Sequence, residues 1–172
     1  MSSNNVLDSI WFSYQTAIDC SKITLKSIDT GEFHLMDKTK FLGTTVDEAK
    51  KLIEESRKYV DDHVIVSLWA IFERKLIEYL HKETDEKLLQ ENPSEFSKQV
   101  IKKLEDKVEY WRVDEILDLF KTMIDSDLIG NAKQIKKYRD WIAHKNPKKA
   151  QPTNVSPQDA YNILSKIISK LE

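Results

Sequence analysis

Arg139 and His144 are the two residues whose types and spacing are best suited to chemistry. Apolar residues near Arg139 form an arc on a helical wheel that turns about 100° per residue. They are Ala132, Ile135, Tyr138 and Ile142. Arg139 falls inside this arc, and burying an unpartnered guanidinium there is costly. We therefore expect Arg139 to be paired with a carboxylate or a bound anion.

His144 follows five residues later, about 140° further around the same helix and at its end. One helix therefore does not place both side chains on one face. They converge only if the long Arg side chain reaches across, if the end of the helix reorients His144, or if a second subunit contributes. The alternative is that Arg139 pairs with an internal acid such as Glu73, while His144 is a surface residue.

Basic residues are concentrated in the segment 131–151. This segment holds seven Lys and Arg residues against one acid, Asp140, in a chain whose formal net charge is −2. The segment thus carries a net +6, and the rest of the chain −8. A basic strip on an acidic protein favours recognition of a specific anion, although a solvated lysine face is the alternative.

The composition is that of one ordinary globular domain, which we assign to residues 1–172. Charged residues make up 33% and hydrophobic residues 40% of the chain. No apolar run approaches about 18 residues, and the first residues lack the features of a signal peptide, which predicts a cytoplasmic protein without a membrane span. The single cysteine, Cys20, excludes an internal disulfide and a cysteine-built zinc site. No cofactor or metal is predicted.

The elements that position these residues are predicted to be helices, since only three of the 172 residues are glycine and no segment alternates with period two. Apolar spacing predicts a first helix from Leu7 to Ile28. The capping box Thr45-Val46-Asp47-Glu48 predicts the start of a second, central helix that ends near Leu80. Residues 32–43 are expected to be irregular, with Phe33, Leu35, Met36 and Phe41 on the core, and residues 81–92 are expected to form a polar connection.

The later elements follow the same signals. A third helix is predicted to begin at Asn92-Pro93 and to continue or restart over 113–124, before a break at 125–130. A fourth helix is predicted to begin at Asn131 and to end before Pro147. The last helix begins at Ser156-Pro157 and runs through Leu171. The predicted fold is an all-α, antiparallel bundle of four to five main helices.

The segment from Tyr138 to Asn146 resembles the signature of the HEPN superfamily. In that superfamily an Arg, a polar neighbour, a short apolar stretch and a His stand on a late helix of an all-α bundle. Arg139, Asp140 and His144 match this pattern, with four residues between the Arg and the His. The likeness extends to the long aromatic second helix and to the single helix that follows the motif.

The resemblance implies a metal-independent endoribonuclease that acts in toxin–antitoxin, antiviral defence or RNA-processing systems. It implies a homodimer whose interface brings the Arg and His of two protomers together, with RNA and an antitoxin or regulatory protein as partners. RNA carries its own nucleophile, the 2′-hydroxyl. An imidazole can take that proton or supply one to the leaving 5′-oxygen, and a guanidinium can stabilise the charge of the transition state.

The roles implied are His144 as the acid and base, Arg139 as the phosphate clamp and Asp140 as the residue that orients one of them. We assign to Glu73 the role of orienting the side chain of Arg139 from the core. The expected products are a 2′,3′-cyclic phosphate and a 5′-hydroxyl. Contacts to flanking RNA are assigned to Lys136, Lys137, Lys145, Asn146, Lys148 and Lys149.

Two other functions stay open at this stage. The first is a non-catalytic module of the same kind that binds RNA, a nucleotide or a protein through the basic strip. The second is a helical interaction domain in which Arg139 forms an internal ion pair.

Overall fold

Five α-helices have described bounds in the computed structural model, which describes residues 5–89, 99, 102–103, 107, 110–144 and 150–171. They are α1 (Asp8–Asp29), α2 (Val46–Leu89), α3 (Val113–Leu119), α4 (Ser126–His144) and α5 (Pro157–Ile168). Short 3-10 helices span Phe33–Met36 and Phe120–Thr122. The described residues contain no strand, and the chain folds as the predicted all-α helical bundle.

The predicted starts of α2 and α5 are confirmed. They could be predicted because capping bonds depend only on nearby side chains. Oε2 of Glu48 accepts a hydrogen bond from the backbone N–H of Thr45 at 2.9 Å, and Oγ1 of Thr45 accepts one from the N–H of Glu48 at 3.3 Å. Oγ of Ser156 likewise accepts a hydrogen bond from the N–H of Asp159 at 3.1 Å. Each bond satisfies an N–H group that the first helical turn leaves without a backbone partner.

Helix α2 forms the centre of the bundle and packs against α1, α4 and α5. Its inner face is fully buried at Leu68, Trp69, Phe72 and Leu76. Side chains from α4 and α5 complete this core, among them Ile129, Ile135, Leu164 and Ile167. The position of α4 beside α2 is what brings Arg139 against the middle of the central helix.

Helix α2 is longer than the sequence indicates, since it continues to Leu89 rather than ending near Leu80. The prediction of a connection over 81–92 is therefore wrong for residues 81–89. Polar residues continue a helix that a packed stretch has already nucleated, because each added residue gains a backbone hydrogen bond. The predicted helix start at Asn92-Pro93 lies outside the described residues.

A small second core lies where the end of α1, the 3-10 helix Phe33–Met36 and the start of α2 meet. It contains Ile28, Met36, Ala49 and Ile53, with Phe41 packed against them. The prediction that Leu35 also lies on the core is wrong, since Leu35 is 56% exposed. Met36 of the same 3-10 helix turns inward.

The predicted break at 125–130 is wrong for residues 126–130, because α4 begins at Ser126 and not at Asn131. Oδ1 of Asp125 accepts a hydrogen bond from the backbone N–H of Asp127 at 2.8 Å and a longer one from that of Leu128 at 3.4 Å. Asp125 therefore caps the helix, and Gly130 lies within its second turn. The extra turn carries Ile129, which is fully buried and anchors α4 in the core.

Replacing Gly130 by alanine is expected to raise the free energy of unfolding by about 0.5–1 kcal/mol, because glycine is a poor helix former. A Cβ at this exposed position would meet no atom within 4 Å. Gly43 is the matched control, since a Cβ there also meets nothing, but its φ is +80°. Gly43→Ala is expected to cost about 1 kcal/mol. Urea unfolding measures both variants, and a loss in Gly130→Ala would contradict this placement of α4.

Candidate functional site

Helix α4 places Arg139 at the edge of the core, as the wheel predicts. Ala132, Ile135 and Tyr138 are buried, and Ile142 is half-buried. The side chain of Arg139 is 24% exposed. The guanidinium is thus neither a freely solvated surface charge nor a fully buried one.

The guanidinium of Arg139 is held between α2 and its own helix. Its Nη2 is 3.0 Å from Oε2 of Glu73, and its Nη1 is 2.9 Å from Oδ1 of Asp140. The centre of the guanidinium lies 5.6 Å from the ring centroid of Trp69. Oε2 of Glu73 also accepts the indole N–H of Trp69 at 3.0 Å. Arg139 and Trp69 therefore hold the same carboxylate oxygen in place. The alternative in which Glu73 pairs with Arg139 is the observed arrangement.

Asp140 links Arg139 to the next cation along the helix. Its Oδ2 is 2.9 Å from Nζ of Lys136, which is also 3.3 Å from Oδ2 of Asp114 on α3. Partial burial opposes the charged form of Lys136, but the hydrogen bond and charge of Asp140, together with Asp114, raise its pKa. Five charges of alternating sign therefore run from Glu73 through Arg139, Asp140 and Lys136 to Asp114.

The basic strip is largely neutralised where the structure describes it. Besides Lys136, Lys133 is paired: its Nζ lies 2.7 Å from Oδ1 of Asp118. Lys121 lies 2.6 Å from the same oxygen, and the two lysines lower the pKa of Asp118, Lys121 having the larger effect. Lys137 is exposed and has no ion-pair partner among the described residues. Of the two lysines of α4 that are assigned to RNA contacts, Lys137 is exposed and Lys136 is paired with Asp140 and Asp114.

The other predicted RNA contacts lie outside the described residues. They are Lys145, Asn146, Lys148 and Lys149.

His144 is the last residue of α4, and its side chain is exposed. Within the described part of the chain, no hydrogen bond or ion pair joins His144 to Arg139 or Asp140, so the structure does not connect the two motif residues. Five helical positions correspond to a rise of about 7.5 Å and a rotation of about 140°. Asp140, which the resemblance assigns to orienting one of the two residues, lies 2.9 Å from Arg139.

Trp69, Asp114 and Asp118 complete the surroundings of the site and were not identified from the sequence. Trp69 stands four residues before Glu73, a spacing at which two helical side chains meet, so this contact had a usable signal. Asp114 and Asp118 stand four residues apart on α3, each opposite a lysine of α4. Their pairing depends on how the two helices pack, which no local spacing encodes.

Two tyrosine contacts fix the helices around the site. The hydroxyl of Tyr138 on α4 donates to Oδ1 of Asp62 at 3.2 Å, and that of Tyr14 on α1 donates to Oδ1 of Asp61 at 2.7 Å. Burial, followed by the charge and hydrogen bond of Asp62, raises the pKa of Tyr138 to about 12. The adjacent acids of α2 therefore each bind a tyrosine of a different helix.

An open groove between α1 and α2 lies away from Arg139. It has a volume of about 680 Å³ and is lined by residues of α1 and α2, none of them on α4. No three His, Cys, Asp or Glu side chains of the described residues are grouped as metal ligands would be. None of the described helices carries an apolar stretch that would cross a bilayer.

No protein-family model, curated protein or solved structure matches this chain.

Proposed function

We propose that this chain is a metal-independent endoribonuclease that acts as a homodimer. The observation that carries the proposal is the position of Arg139, whose guanidinium is held at the rim of the core by Glu73 and Trp69. A surface arginine that only improves solubility has no need of such support. A guanidinium that must meet a phosphate in one orientation gains from it, because a positioned donor loses little freedom when the substrate binds.

In the proposed reaction, His144 of one protomer removes the proton of the RNA 2′-hydroxyl, whose oxygen attacks the adjacent phosphorus. The bond from phosphorus to the 5′-oxygen breaks, and a second histidine, His144 of the partner subunit, protonates the leaving oxygen. Arg139 binds the phosphate oxygens and stabilises their added charge in the transition state. The products are a 2′,3′-cyclic phosphate and a 5′-hydroxyl. The proposed role in toxin–antitoxin, antiviral defence or RNA processing follows from the resemblance alone.

The test is cleavage of a mixed-sequence RNA in the presence of a chelator, with analysis of the product ends. His144→Ala is expected to lower the cleavage rate by about 100-fold or more, because it removes the group that transfers the proton. His34→Ala is the matched control, since His34 is also exposed but lies in the 3-10 helix after α1, and its rate is expected to be unchanged. Circular dichroism verifies that each variant is folded.

A second candidate is a non-catalytic module that binds RNA, a nucleotide or a protein. The pairing of Arg139 with two carboxylates supports it, since a paired arginine also serves as a structural link between α2 and α4. Salt-sensitive RNA binding without turnover would favour this function. Cleavage that fails to appear with a chelator, or that survives His144→Ala, would refute the ribonuclease.

A further inference from the structure

Asp140 lies where an anionic ligand of Arg139 would bind. Its Oδ1 is 2.9 Å from Nη1 of Arg139, while Glu73 binds Nη2 at 3.0 Å. Each terminal nitrogen of the guanidinium therefore already lies within ion-pair distance of a carboxylate oxygen. Carboxylates and phosphates both bind guanidinium through charge-assisted hydrogen bonds, so we expect an RNA phosphate to compete with Asp140 for Nη1 of Arg139.

Asp140 is also paired with a second cation. Its other oxygen, Oδ2, is 2.9 Å from Nζ of Lys136. The side chain of Asp140 is 37% exposed, more than that of either cation, so it has solvent into which to rotate. Release of Arg139 would thus leave Asp140 paired with Lys136 rather than unpartnered. Glu73 differs in this respect, because it is also fixed by the indole of Trp69.

We propose that Asp140 is an internal mimic of the RNA phosphate: its carboxylate blocks Arg139 until the substrate displaces it, after which Asp140 stays paired with Lys136 alone. This inference rests on the proposed function, since it assigns the regulation of the same site. The blocked form binds RNA weakly, because only the open fraction of the molecules can engage a phosphate through Arg139. The same contact keeps the guanidinium neutralised when no RNA is present.

The test measures binding of a fluorescent 2′-O-methyl oligoribonucleotide, which lacks the nucleophile and cannot be cleaved. Asp140→Asn keeps the size of the side chain but removes its charge, and it is expected to tighten binding about 5- to 10-fold. Asp118→Asn is the matched control, because it removes the same charge from a residue that pairs with Lys121 and Lys133 but not with Arg139. We expect it to change affinity by no more than about 2-fold.

A second background isolates the contact with Arg139. In Arg139→Met, the gain from Asp140→Asn is expected to shrink to that of Asp118→Asn, because no guanidinium is left to release. A gain no larger than that of Asp118→Asn, or one that persists in Arg139→Met, would overturn the blocking role. The ribonuclease proposal would stand if the wild-type chain still cleaved RNA. If neither the wild type nor Asp140→Asn bound the oligonucleotide, the blocking role would fall, and if the wild type also failed to cleave RNA, both proposals would fall.

Discussion

Replacing Phe72 by alanine is expected to lower the free energy of unfolding by about 3–5 kcal/mol. The side chain is fully buried in the middle of α2, and its ring lies 5.3 Å from that of Trp69. Truncation removes apolar contacts on every side and leaves a cavity that the surrounding helices fill only in part. A domain of this size has a total stability of about 5–15 kcal/mol, so the variant should fold but with a much lower urea midpoint.

Phe12→Ala is the control for this prediction. Phe12 is 59% exposed on α1, so the same substitution removes little packing there. Its expected cost is less than about 0.5 kcal/mol. Equal losses at the two positions would mean that the centre of the bundle is not where α2 packs against α4 and α5.

Local signals predicted the starts of two helices, because at each start a side chain bonds to nearby backbone. Thr45 with Glu48, and Ser156 with Asp159, satisfy N–H groups within three residues, so their effect is visible in sequence. The prediction that α4 begins at Asn131, after a break over 125–130, is wrong. Asp125 caps an extra helical turn over 126–130, and burial of Ile129 offsets the low helix propensity of Gly130.

The position of Arg139 could be predicted because a helical wheel depends only on the period of α4. Its pairing with Glu73, 66 residues earlier in the chain, could be raised as an alternative but not established. The acids opposite Lys133 and Lys136 were missed for a related reason. The net charge of +6 is a sum over the segment 131–151 alone, whereas ion pairs also form between neighbouring helices. Charge counted along a segment therefore overstates the cationic character of a packed surface.

Replacing Glu73 by leucine is expected to lower the free energy of unfolding by about 2–3 kcal/mol, less than the cost of breaking a fully buried pair. The change leaves the guanidinium of Arg139 and the indole N–H of Trp69 without their shared acceptor. Arg139 and Glu73 are 24% and 30% exposed, so water compensates for part of the loss. Glu73→Gln keeps an oxygen that can accept the indole N–H and is expected to cost less than Glu73→Leu.

A double-mutant cycle between Glu73 and Arg139 separates the ion pair from the proposed chemistry. Arg139→Met keeps an apolar chain against Trp69, so adding it to Glu73→Leu removes the charge that has lost its partner on α2 and keeps only its contact with Asp140. We expect the double variant to be more stable than the two single losses predict, by about 1–2 kcal/mol. Losses that add within about 0.5 kcal/mol would show a contact already screened by solvent. If stability returns in the double variant but RNA cleavage does not, the loss of activity reflects the missing phosphate clamp and not a weakened fold.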